Sequence, residues 1–78
     1  MAKKRIISES EAIRIAEDTI KGKVKRQSGS PIDVTCADDR YTVTFVHVTP
    51  PNMLGADYDA EITIDAVTGE VVQFKVGS

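Results

Sequence analysis

Cysteine occurs once in this chain, at Cys36, and histidine once, at His47. A lone thiol excludes an intramolecular disulfide and leaves no second cysteine for a thiolate metal site. A lone imidazole, with no serine or cysteine in a recognisable arrangement around it, leaves acyl-transfer chemistry without a visible base. No glycine-rich phosphate loop is present either, so no catalytic residues are expected. No apolar run approaches the ~18 residues that cross a bilayer. The basic start, Met1 to Arg5, leads into Ile6-Ile7 and then directly into Ser8 and Glu9. The chain as given is therefore expected to carry no export signal and to make no direct membrane insertion.

Basic residues are scarce after position 26. Residues 27–78 hold two, Arg40 and Lys75, against eight acids, while residues 1–26 hold eight against four, so a +4 end is joined to a −6 remainder. With a sequence pI near 5.2, this distribution argues against nucleic acid as a partner. Lys3, Lys4, Arg5, Lys21, Lys23, Lys25 and Arg26 read instead as solvated helix ends and a loose terminus.

What remains is an ordinary globular composition, 41% hydrophobic and 28% charged over 78 residues. That length predicts a single domain over 1–78 with a thin core. Ser8-Glu9-Ser10-Glu11 has the form of a capping box, and Ala12, Ile13, Ala16, Thr19 and Ile20 follow at three- and four-residue spacing. The spacing predicts a helix over about 9–21, stopped by Gly22, whose alanines let another layer approach closely.

From about residue 32 to 76 the pattern changes to alternation, the signature of strands covered on one face. Ile32, Val34 and Cys36 form the first set, and Cys36 is expected to be buried as a small hydrophobe. Asp38-Asp39 reads as a tight turn. In the second strand Tyr41, Val43 and Phe45 are expected to face the helix, as are Tyr58, Ala60, Ile62 and Ile64 in the third and Val72, Phe74 and Val76 in the last. In the loop from Asp65 to Glu70, Gly69 supplies a positive φ, and Asp65 and Thr68 are placed to bond the loop's own amides. The expected fold class is α+β, one N-terminal helix on one face of an antiparallel meander of about four strands.

Two stretches of the chain resemble a known family. The helix pattern at Glu11, Ala12, Ile15, Ala16, Gly22 and Val24 and the terminal pattern at Ile64, Asp65, Ala66, Thr68, Gly69, Glu70 and Val71 are similar to the PepSY domain family. That resemblance implies a cystatin-like arrangement and a periplasmic, cell-surface or secreted setting. It also implies a non-enzymatic role, without cofactors, in restraining peptidases or regulating the cell-surface environment. The nine-residue insert Thr49 to Asp57 departs from the family's more usual short turn. It is similar to a segment of the small NTF2-fold immunity proteins that neutralise bacterial toxins, which stands as the alternative reading.

The insert also holds the first candidate contact residues. Pro50 and Pro51 stiffen its start, and Met53 and Leu54 place apolar side chains where a loop is usually polar. They read either as rigid anchors for a partner protein or, for Leu54, as a plug for the open end of the core. Asp57, Asp59 and Glu61 alternate, hence share a sheet face, and read as a solvated acidic stripe or a contact for a basic surface; no metal site is expected there. Val46, Val48 and Val71 are expected to form a modest apolar patch opposite the helix, suited to a partner protein or to a homodimer.

Overall fold

A computed structural model describes residues 6–51 and 58–77. The Ser8 backbone is extended and its Oγ accepts a hydrogen bond from the Glu11 amide at 3.1 Å, so helix α1 starts at Glu9 and runs to Ile20. It stops because Gly22 takes φ +77°, and the Lys23 and Val24 amides turn back onto the Ile20 carbonyl. Ala12 and Ala16 are fully buried and Ile20 nearly so. The two alanines bring the helix axis close to the sheet beneath.

Strands β1 (Ile32–Ala37), β2 (Arg40–Val46), β3 (Tyr58–Asp65) and β4 (Val71–Val76) form one antiparallel meander in the order β1-β2-β3-β4. Asp38 and Asp39 both adopt positive φ, 52° and 58°, the handedness that a two-residue hairpin needs to match the strand twist. Between β3 and β4 the chain closes on Asp65. Its carbonyl accepts from the Gly69 amide at 2.8 Å, and its Oδ1 accepts from the Val67 and Thr68 amides. Thr68 Oγ1 in turn accepts from the Glu70 amide, and Gly69 stands at φ +79°. The fully buried Ala66 joins three segments, since its amide donates to Asp39 O and its carbonyl accepts from the Ile7 amide.

The core lies between α1 and the two central strands. Val43, Phe45, Ala60, Ile62 and Ile64 are fully buried, with Ile7, Ile13, Ile15, Val24, Ile32, Val34, Tyr41 and Phe74 packed around them. A helix about 10 Å across covers roughly two strand spacings of ~4.8 Å, which limits full burial to β2 and β3. Two expectations fail for this reason. Cys36, on outer strand β1, is exposed, and on outer strand β4 Val72 and Val76 are 47% and 59% exposed while Phe74 packs against the core. Alternation identifies the face of a strand but not how far its cover extends.

Candidate functional site

The face of the sheet opposite α1 is set by the same alternation that builds the core. Asp33, Thr44, Glu61 and Lys75 stand in one row across the four strands, and Thr35, Thr42, Thr63 and Gln73 in the next. Among the described residues no helix covers these two rows, because α1 packs on the other side. The rows are polar and threonine-rich, with Thr44 Oγ1 donating to Glu61 Oε2 at 3.3 Å. Threonine suits a pleated surface, keeps a hydroxyl for a partner and loses little rotamer freedom on contact.

One end of this face is organised by an irregularity. The β2–β3 register slips between Phe45 and Val46: Phe45 pairs with Ala60 but Val46 with Tyr58, leaving Asp59 as the extra residue of a bulge. The bulge points the Asp59 carboxylate at its neighbours. Its Oδ2 accepts from the Gln27 amide at 2.6 Å and its Oδ1 lies 2.8 Å from His47 Nδ1, with the side chain only 13% exposed. Gln27 carries the link onward: its Nε2 donates to Val48 O at 3.1 Å and its Oε1 accepts from the Val48 amide at 2.8 Å. The side-chain amide thus occupies both polar groups of one backbone residue, as a strand neighbour would. The segment that leads from α1 to β1 is bolted in this way to the start of the loop after β2.

Arg26, beside Gln27, is the residue that sequence reasoning misplaced. It was expected to be solvated, yet its guanidinium carbon sits 5.1 Å from the Phe45 ring centroid and its Nη2 donates to Ser30 O at 3.0 Å. Its Nη1 lies 3.6 Å from Glu17 Oε2, a long contact whose acid is half exposed and which contributes little. The Arg26 Nε is buried and has no hydrogen-bond partner among the described residues. The side chain caps one end of the aromatic core.

The other sequence-nominated residues fall in three groups. Met53, Leu54 and Asp57 lie outside the described residues. Pro50 and Pro51 are exposed, as is Val48 at 55%. Val46 and Val71 do not form one apolar patch: Val46 pairs with Tyr58 and Val71 with Ile64, about 20 Å apart along β3 at the usual rise per residue. Asp59 and Glu61 do not make an open acidic stripe either, since Asp59 is engaged by Gln27 and His47 and Glu61 by Thr44. The nearest signal for the Asp59 junction is Gln27, a residue near both ends of the cluster only after folding.

Chemically, the arrangement holds a loop and presents a surface. Among the described residues, no serine, threonine or cysteine hydrogen-bonds His47, and no group of three or more His, Cys, Asp or Glu side chains is placed to hold a metal ion. No helix among them is long and apolar enough to cross a membrane. A family model described as "Peptidase propeptide and YPEB domain", PepSY, matches residues 6–73. No curated protein and no solved structure matches the chain.

Proposed function

The chain belongs to the PepSY family, and from that premise we propose that it is a non-catalytic module that binds and restrains a peptidase. It docks through the polar outer face of its sheet together with the loop after β2. The observation that carries the reading is the uncovered double row from Asp33 to Lys75 and from Thr35 to Gln73, a broad surface with no use in the fold's own core. Interfaces between separately stable proteins are about as polar as the rest of a surface, so a threonine-lined face is suited to reversible contact. Val48, Pro50 and Pro51 add exposed apolar groups at one end, on a segment that Gln27 fixes and the two prolines stiffen. Met53 and Leu54 extend that anchor in sequence.

A non-catalytic role fits the commitment of His47, the sole histidine, to Asp59. The family's peptidase association fits a setting outside the cytoplasm. The test is inhibition of fluorogenic peptide cleavage by a panel of purified peptidases covering the serine, cysteine and metal-dependent classes. The wild-type domain should slow at least one of them. Thr44→Arg with Thr63→Arg on the outer face should weaken that effect at least tenfold, as should Met53→Ser with Leu54→Ser, while Arg14→Glu on the exposed side of α1 should leave it unchanged. Inhibition that survives the first two variants and is lost with the third would defeat the proposal, as would a panel that never responds.

A further inference from the structure

The outer edge of β4 has no use in the fold described so far. Among the described residues β4 pairs only with β3, and three of the six large hydrophobic side chains exposed there belong to it: Val71, Val72 and Val76. An open edge is a template for another strand and is normally blunted by charge, proline or a bulge. The opposite edge of the sheet is guarded in this way. β1 follows Pro31, carries Asp33 and ends at the acidic turn Asp38-Asp39. The β4 sequence VVQFKV has no proline and no acid and a single cation, Lys75, and its bulge, at Val72, lies at the start of the strand and leaves Gln73 to Val76 in a regular ladder.

The direction of the free backbone groups can be worked out from the ladder. Gly77 donates its amide to Asp59 O at 2.9 Å, and alternation then turns the amides and carbonyls of Gln73 and Lys75 toward β3 and those of Phe74 and Val76 outward; the regular ladder ends at Gln73, because Ile64 pairs with Val71 and leaves Val72 as the extra residue of a bulge. We infer that this edge pairs antiparallel with the same edge of a second copy, about a two-fold axis at Phe74. The sheet then runs continuously through eight strands, with both helices on one side.

In that register Phe74 faces Phe74 of the second copy and Val76 comes opposite the Val71-Val72 bulge, so the helix side of the junction is apolar on apolar. On the outer side Gln73 faces Lys75, and no like charges meet across the seam. The occupant is a second copy because the strand is self-complementary about Phe74: over residues 72–76 a reversed copy answers every side chain with a compatible one, and Val71 falls opposite Gly77. The exposed valines gain cross-strand neighbours that a solvated edge denies them. Five paired residues from each copy make a contact below the roughly 800 Å² per partner of standard complexes, so the dimer belongs to high protein concentration. The polar outer face stays open, and the inference does not depend on the peptidase reading.

Two experiments test it. In a Cys36→Ser background, Gln73→Cys and Lys75→Cys chains are purified separately, mixed and mildly oxidised. The proposed register holds residues 73 and 75 of opposite copies as a non-hydrogen-bonded pair with Cα atoms about 4.5 Å apart, within disulfide reach. The mixture should cross-link several-fold more than either chain alone. In sedimentation equilibrium the wild-type chain should dimerise with rising concentration, and Val72→Lys with Val76→Lys, at two exposed positions, should shift the midpoint at least tenfold upward. Cross-linking that is no greater in the mixture than in either chain alone would overturn the inference. So would a wild-type chain that stays monomeric into the millimolar range, or a folded Val72→Lys/Val76→Lys variant that dimerises as well as wild type.

Discussion

Replacing Asp59 by alanine separates an acid displayed to solvent from an acid that holds the fold together. A carboxylate on an open stripe costs a few tenths of a kcal/mol at most when removed. Here the carboxylate is 13% exposed and accepts from the Gln27 amide at 2.6 Å and faces His47 Nδ1 at 2.8 Å. A hydrogen bond to a charged acceptor contributes about 1.5–3 kcal/mol, and a donor left buried without its partner costs about as much. The His47 side chain is 36% exposed and can turn to water, so its share is at the low end, about 0.5–1 kcal/mol. Together the two contacts put the loss for Asp59→Ala at about 2–4 kcal/mol. For a domain of this size that is a fall of roughly 10–30 °C in Tm.

Urea unfolding followed by circular dichroism measures the change. A double-mutant cycle with His47→Ala isolates the imidazole's part, and amide exchange at Gln27 should quicken in the Asp59→Ala chain. The conservative Asp59→Asn keeps one acceptor oxygen and should lose less than Asp59→Ala. A change below about 0.5 kcal/mol in Asp59→Ala, with Gln27 exchange unaltered, would refute the argument that the bulge turns this side chain inward.

Two further substitutions probe the closest approaches. Ala16 is fully buried on the helix face against the sheet, so Ala16→Leu should destabilise by about 1–3 kcal/mol through overpacking, read from the shift in the urea midpoint. A Cβ added at Gly77 would lie 1.6 Å from the Tyr58 carbonyl oxygen. Gly77→Ala should therefore break the Gly77 amide bond to Asp59 O and fray the end of β4, seen as faster amide exchange at residues 75–77, whereas a tolerated alanine would leave those rates unchanged.

The parts of this fold that were legible in the sequence are those with a local cause. Ser8 with Glu11 marks a cap, Ala12 and Ala16 mark a close face, and the two aspartates at 38 and 39 mark a hairpin; each works within four residues of itself. The strand faces were legible for β2 and β3 because strict alternation has one solution when a helix lies directly above. For β1 and β4 the same alternation misjudged Cys36, Val72 and Val76, because the width of the covering helix is a tertiary fact. Asp59 escaped for a different reason. A one-residue bulge shifts the phase of the ladder without any compositional mark, so a side chain counted into an acidic row became a bolt for a segment 32 positions away. Arg26 was lost likewise, since its partner Phe45 is distant in the chain and its charge spoke only for solvent.

The outer face, the surface on which the functional reading rests, is tested most directly by amide chemical shifts of the labelled domain titrated with a peptidase that it inhibits. The perturbed residues should be Asp33, Thr35, Thr42, Thr44, Glu61, Thr63, Gln73, Lys75 and the segment 48–51, with α1 silent. Perturbations concentrated on Arg14, Glu17, Asp18 and the rest of the exposed side of the helix, with the threonine rows unmoved, would contradict it.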